Sequence, residues 1–239
     1  MKQPISEVHH GDCMDFMRDL PDGYFDLVLA DPPYGIGADV SAKKQGGQQF
    51  GNAAARKKHY HSDGWDVSSM PTEFFNEFRR VSKNQVIWGA NHFISRIPFD
   101  SSGWVVWDKD NGDNNFADCE LAWTSFGCAV RKFEYTWNGM LQGDMANKEN
   151  RIHPTQKPIP LYKWLLTNYA KPGQKIFDPM MGSQSSRIAA WDMGFDYYGC
   201  EKDEDYFRDG CARFEAHIKK PVLFAPEQMY NFEQAKLFE

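Results

Sequence analysis

Four consecutive residues, Asp31-Pro32-Pro33-Tyr34, set a carboxylate, two rigid carbonyls and an aromatic ring side by side. The prolines fix φ and remove two backbone donors, so carbonyls in this stretch stay free to accept hydrogen bonds. The set suits a planar group bearing an NH2: the acid and a proline carbonyl accept from the amine while the ring stacks on the base plane. A second stretch, Phe177-Asp178-Pro179-Met180-Met181-Gly182-Ser183, leads into a helical pattern. Glu201 ends the strand that follows, at about the 20-residue distance separating a nucleotide-binding turn from its ribose-binding acid. Neither G-x-G-x-x-G nor G-x-x-x-x-G-K occurs, so a pyrophosphate cradle is missing. A nucleoside without phosphates fits better than NAD or ATP. In a third stretch, Ile152-His153-Pro154-Thr155-Gln156-Lys157-Pro158, Thr155 and Lys157 could hold a carboxylate through a hydroxyl and an ammonium.

The elements that must position these residues follow from the apolar pattern. Tyr24 to Ala30 is an apolar run too short for a helix and bounded by turn residues, which predicts a buried strand ending at Asp31. Phe74, Phe75, Phe78 and Val81 recur at helical spacing within Thr72 to Val81, and Gln85 to Trp88 reads as the next strand. From Trp104 to Trp137 the texture is Val-, Trp-, Phe- and Thr-rich with Gly and Asp-Asn breaks, which predicts antiparallel strands. A helix around Leu161 to Tyr169, a strand from Lys175 ending at Asp178, a helix over Ser183 to Met193, a strand over Asp196 to Cys200 and a helix over Asp203 to Ile218 complete the series. Strands alternating with helices imply an α/β fold, a doubly wound and mostly parallel sheet whose ligands sit at the strands' carboxyl ends.

A length of 239 residues and 41% hydrophobic content allow one domain, 1–239, with a sizeable core. No apolar run approaches the roughly 18 residues of a membrane span, and Met1 to Glu7 lacks the blocks of a signal peptide. A cytoplasmic protein without membrane contact is expected. The five cysteines form no C-x-x-C pair and are read as reduced, mostly buried thiols. His59 and His61 lack further spaced ligands, so no metal is expected. A net charge of -6 argues against nonspecific coating of nucleic acid, yet Lys43, Lys44, Arg56, Lys57 and Lys58 concentrate positive charge in a stretch free of acids. Residues 38–66 are therefore expected to form a mobile basic loop meeting phosphates. The 131–152 segment, with Arg131 and Lys132, is the expected site of base reading.

Together these residues resemble the DNA amino-methyltransferases that use S-adenosylmethionine. Asp31-Pro32-Pro33-Tyr34 is similar to the family's catalytic motif, while the His153 to Pro158 and Asp178 to Ser183 stretches are similar to its cofactor motifs. The catalytic motif comes first, which is the circularly permuted order of the β class found in phage and restriction-modification adenine enzymes. The resemblance spans about Glu7 to Phe207 and implies a permuted Rossmann-like methyltransferase fold. It also implies that Asp31, Pro32, Pro33 and Tyr34 bind the target base, with Asp31 also bordering the cofactor site. Asp12 would contact the cofactor adenine, Asp178, Pro179, Gly182 and Ser183 would lie beside its methionine part, Glu201 would hold the ribose, and His153, Thr155 and Lys157 would complete the site near its carboxylate. One departure is Gln184, where the family usually carries a glycine; a positive φ there would weaken binding.

The reaction implied is transfer of a methyl group to the N6 amine of adenine in double-stranded DNA after base flipping. Transfer to the N4 amine of cytosine is the alternative, with a catalytically inactive DNA-binding relative as a further one. Cytosine carbon methylation would need a Pro-Cys nucleophile, and zinc deamination would need H-x-E and P-C-x-x-C; neither pattern is present. A homodimer is compatible with the family, and Gln234 to Phe238 resembles short peptides that dock on sliding clamps.

Overall fold

The computed structural model describes residues 3–38, 64–97, 99–112, 117–138, 141–220 and Asn231. The basic residues Lys43, Lys44, Arg56, Lys57 and Lys58, the pair His59 and His61, and the Gln234 to Phe238 tail lie outside the described residues. The chain runs β1 (Ser6–His10), α1 (Cys13–Arg18), β2 (Phe25–Ala30), α2 (Thr72–Val81), β3 (Ser82–Trp88), β4 (Trp104–Asp108), β5 (Cys119–Thr124), β6 (Arg131–Glu134), β7 (Trp137–Asn138), β8 (Leu141–Gln142), α3 (Ile159–Tyr169), β9 (Lys175–Asp178), α4 (Ser185–Asp192), β10 (Asp196–Glu201) and α5 (Glu204–Ile218).

An eight-stranded sheet has the order β1-β10-β9-β2-β3-β5-β4-β6, while β7 and β8 form a separate ribbon. Side chains alternate along β2, so Leu27 and Leu29 pack on one face with Leu161, Leu165 and Ala189, and Val28 and Ala30 pack on the other with Phe74 and Phe78. Helix α2 turns Phe74, Phe75, Phe78 and Val81 inward. Burial of each phenylalanine contributes about 2 to 3 kcal/mol, which fixes the helix more firmly than its intrinsic propensity. Arg80, on the outer side of α2, reaches the carbonyls of Leu20 at 2.6 Å and Met17 at 2.7 Å and so fastens the end of α1.

Strands β2 and β9 lie side by side in parallel, with Leu27 opposite Ile176 and Val28 opposite Phe177. From β2 the chain continues to β3 on one side; from β9 it continues to β10 on the other. That reversal is the crevice where doubly wound sheets take ligands. It brings the residues after β2 and the end of β9, 147 positions away in sequence, to one edge of the sheet.

One expectation is refined and two need correction. β5 alone runs against its neighbours: it pairs antiparallel with β3 and β4, whereas β6 pairs parallel with β4. The antiparallel pairing expected from Trp104 to Trp137 is thus present at β5 and in the β7–β8 ribbon, while β6 joins in parallel because the chain from β5 returns to the far side of β4. The cysteines are not mostly buried: Cys13 and Cys200 are, Cys128 and Cys211 are half-buried, and Cys119 is exposed. Helix α4 starts at Ser185 rather than Ser183, because Gln184 adopts φ 59° at the cap. Within the expected 38–66 loop, Asp66 is buried and accepts from the amides of Gly35 at 2.8 Å and Ala38 at 2.7 Å, which anchors that end. No described helix is long and apolar enough to cross a membrane.

Candidate active site

At the end of β2, Asp31 and Tyr34 meet two side chains from elsewhere. Oδ1 of Asp31 receives the Lys157 ammonium at 2.5 Å and the Tyr34 hydroxyl at 2.9 Å. Lys157, almost fully buried, also donates to the Tyr34 hydroxyl at 3.1 Å and contacts Glu120 Oε2 at 3.2 Å. The other oxygen of Glu120 holds Lys109 at 2.5 Å. The tyrosine ring is set by a close approach: a Cβ on Gly89 would fall 2.0 Å from its Cε1, so only glycine fits there, and Gly89 has φ 67°. His92 stacks on the same ring, with centroids 5.0 Å apart and 16° between planes.

The charges in this group balance. Burial raises the Asp31 carboxyl above its ordinary value; Lys157 offsets part of that, while Glu120 adds to it. Burial also opposes ionisation of Glu120, but Lys157 and Lys109 more than offset it and hold that carboxyl at about 2. Lys157 is raised in spite of its burial, because Asp31 and Glu120 both face it.

Beside this cluster, past the end of β9, lies a second group of acids without such cations. Asp178 is buried and accepts from the Met180 amide at 3.0 Å and the Ser186 hydroxyl at 2.5 Å. Burial pushes its carboxyl up to about 7, with Asp31 and Glu201 adding to the rise. Glu201, at the end of β10, accepts from the Gly182 amide at 2.8 Å and the Asp203 amide at 2.9 Å. Gly182 itself has φ 47°, and its hypothetical Cβ would sit 3.5 Å from the His153 ring. His153 packs edge-on against Tyr206 with centroids 4.3 Å apart, and burial holds its imidazole down at about 3, so it is neutral at physiological pH. The hydroxyl of Thr155 lies 3.1 Å from His153 Nδ1. Asp12 caps α1 through the Met14 amide at 2.9 Å and pairs with Lys202 at 3.0 Å, while the next strand end is tied in by the Gly11 amide on the Glu201 carbonyl at 2.9 Å.

Gln184 takes the left-handed conformation that favours glycine, and its surroundings make up for the strain. Its amide oxygen accepts from Arg187 at 2.9 Å, its nitrogen donates to the Phe207 carbonyl at 3.3 Å, and Gly210 leaves the space the side chain fills. Arg213 reinforces the same turn, donating to the Ser183 carbonyl at 2.6 Å and pairing with Glu149 Oε2 at 2.7 Å.

The fold therefore assembles Asp31, Pro32, Pro33, Tyr34 and Lys157 in one group and Asp178, Pro179, Gly182, Ser183, Glu201 and His153 in an adjoining one. Lys157 is engaged by the first group rather than standing free for a cofactor carboxylate. Arg131 and Lys132 lie on β6 at the far edge of the sheet, and Lys132 is already paired with Asp108 at 2.8 Å and Glu134 at 3.0 Å. Sequence reasoning missed Glu120, Lys109 and His92. The first two belong to the Trp104 to Trp137 texture, where an acid or lysine looks like an ordinary outward strand residue.

The acids of the second group, with no phosphate cradle, fit a cationic nucleoside: S-adenosylmethionine carries a sulfonium, an ammonium and a ribose diol and no phosphate. Among the described residues no cluster of three or more His, Cys, Asp or Glu could hold a metal ion.

Comparison with known proteins supports the fold. The chain aligns over most of its length with the M1.HpyAVI–SAM complex, at 20% identity, covering 87% of this chain and 98% of that one with a TM-score of 0.53; the fold is that methyltransferase fold. A DNA methylase family model matches residues 127–211. The chain is 25% identical to the type II methyltransferase M2.MboI of Moraxella bovis over 90% of this chain and 89% of the relative. It is 22% identical to the type II methyltransferase M.HinfI of Haemophilus influenzae over 86% of this chain and 68% of the relative. The chain is therefore similar to DNA methyltransferases, in sequence to the two type II enzymes and in fold to one solved with S-adenosylmethionine.

Proposed function

We propose that this enzyme methylates the N6 amine of adenine in double-stranded DNA, with the target base rotated out of the helix. The observation that carries the reading is the adjacency of the two groups at the β2/β9 reversal, an amine-accepting cluster beside a cation-accepting one. S-adenosylmethionine supplies an electrophilic methyl group on its sulfonium. Asp178, Gly182 and Ser183 hold its methionine part, Glu201 its ribose and Asp12 its adenine, with His153 and Thr155 closing the site.

The chain's own residues meet the difficulty that the adenine amine lone pair is delocalised into the ring. Asp31 and the Pro32 carbonyl accept from the amine and favour a more tetrahedral nitrogen. They also aim that nitrogen at the methyl group, and orientation of this kind supplies roughly 7 to 11 kcal/mol of barrier reduction. Tyr34 receives the base plane once His92 yields that face, and stacking at about 1 to 3 kcal/mol returns part of the few kcal/mol that extrusion costs. Asp31 then takes the proton lost by the methylated nitrogen, a role supported by its raised pKa. The basic residues between 38 and 66 meet phosphates, and 131–152 reads the sequence. The setting is a restriction-modification or phage system in the cytoplasm.

The test is incubation of the protein with labelled S-adenosylmethionine and mixed-sequence duplex, followed by digestion to nucleosides and mass spectrometry. N6-methyladenine is expected. N4-methylcytosine would replace the adenine reading with the cytosine one. Duplex binding without transfer would mean an inactive relative.

A further inference from the structure

A strand that runs against its neighbours begins where they finish. β5 starts at Cys119, so its second residue, Glu120, lies at the carboxyl edge of β2 and β3 although nothing near it in sequence belongs to a motif. There it touches both Lys157 and the Tyr34 hydroxyl, at 3.2 and 3.3 Å. We propose that Glu120 is a positioning residue for methyl transfer, clamping Lys157 against Oδ1 of Asp31 so that Oδ2 faces the target amine. The inference rests on reading Asp31 as the acceptor of that amine.

Three observations support it. An ammonium has three hydrogens, and Lys157 has three acceptors in reach: Asp31, the Tyr34 hydroxyl and Glu120. Two of these belong to one short loop, so Glu120 is the partner that fixes the ammonium from a different element. Lys157 and the Tyr34 hydroxyl both meet Asp31 at Oδ1, and Oδ2 has no hydrogen-bond partner among the described residues. Finally, Glu120 is itself fixed from behind by Lys109, which follows β4 and whose amide donates to the Asp118 carbonyl at 3.0 Å. The result is a row of alternating charge, Lys109, Glu120, Lys157, Asp31, in which each group limits the motion of the next. The charged and titratable groups facing Asp31 are Lys157 ahead of α3, Tyr162 on α3, Tyr34 on its own loop, Glu120 from β5 and Asp178 from β9.

Steady-state transfer to duplex DNA tests the idea through Glu120→Gln. The expected result is a fall in kcat of about 10- to 100-fold, the scale of a misaligned acceptor, with the cofactor Kd and the DNA KM within about twofold of wild type. The acid limb of the kcat profile should also move to lower pH, because the charge at 120 is one of the groups that raises Asp31. Glu120→Asp keeps that charge and should leave the limb in place while kcat falls. Wild-type kcat in Glu120→Gln, an unmoved acid limb in that variant, or a loss that appears equally in cofactor Kd would each overturn the proposal. Thermal melting and cofactor calorimetry check that the variants fold. Should Glu120→Gln not fold, Lys109→Met tests the outer end of the row: kcat should fall about two- to fivefold, as for a partly exposed ion pair, and an unchanged kcat would overturn the proposal. Wild-type protein that methylates a base amine while the variants behave normally defeats the positioning role alone; wild-type protein that binds cofactor but methylates neither adenine nor cytosine defeats both.

Discussion

The two halves of the crevice solve opposite electrostatic problems. On the β2 side every carboxylate has a lysine: Asp31 faces Lys157, and Glu120 faces Lys157 and Lys109. On the β9 side Asp178 and Glu201 are held by backbone amides and a serine hydroxyl, with no ion pair among the described residues. A buried carboxylate without a cation is costly unless its ligand brings one. The pairing suits the ligands of the proposed function: a neutral base amine would meet acids already balanced by lysines, and a positively charged cofactor would meet acids left for it.

The sharpest way to break this contrast is Asp31→Ala. Methyl transfer in single-turnover assays should fall by about 10²- to 10³-fold, while calorimetry finds cofactor affinity within a few-fold; parallel losses would mean the halves are not separate. Tyr34→Ala should lower transfer by about 5- to 150-fold, the equivalent of 1 to 3 kcal/mol of stacking, again with little change in cofactor binding. The cofactor side has its own signature in pH. Asp178 is raised to about 7, and a cationic ligand prefers its charged form, so cofactor affinity should increase about tenfold from pH 6 to pH 8. Without ligand the sign reverses for folding: the native carboxyl holds its proton more tightly than the unfolded one at 3.8, so its contribution to stability grows as pH falls from about 7 to 4. Calorimetric titrations across that range that show no trend would remove Asp178 from the cofactor site.

The smallest expected effect concerns Gln184 and Gly210. A Cβ at 210 would come within 2.7 Å of the buried glutamine side chain, so Gly210→Ala should destabilise by about 1 to 3 kcal/mol, a Tm loss of roughly 2 to 4 °C per kcal/mol. Adding Gln184→Gly should recover most of that loss in thermal melts, since it both clears the contact and suits the positive φ. Additive losses would show that the two residues are not coupled.

Much of this site is legible from local sequence because its backbone is locally constrained. Asp31 to Tyr34 and Asp178 to Ser183 each follow a short apolar run, and prolines and glycine mark where the strand must stop. Helix α2 is legible at both ends from Phe74, Phe75, Phe78 and Val81. What is hidden depends on tertiary pairing. Glu120 reaches the site only because β5 runs backwards, and His92 only because a turn after β3 folds over Tyr34. The role suggested for Lys157 by its motif shifts for the same reason: its partners Asp31 and Glu120 are far away along the chain. The left-handed Gln184 is legible as an oddity, but the Arg187 and Gly210 contacts that accommodate it are not.

If residues 131–152 read the DNA sequence, as proposed, the largely buried pair between Glu149 and Arg213 has a practical consequence for altering which sequence is modified. Transplanting residues 131–152 from another enzyme would discard Glu149 and strand a guanidinium that also supports the Ser183 carbonyl. Orphaning one partner of such a pair costs about 3 to 5 kcal/mol, so a graft would present as lost cofactor affinity rather than as a new target site. Chimeras that carry Glu149 along, or replace Arg213 at the same time, are the ones in which a change of recognition sequence can be read.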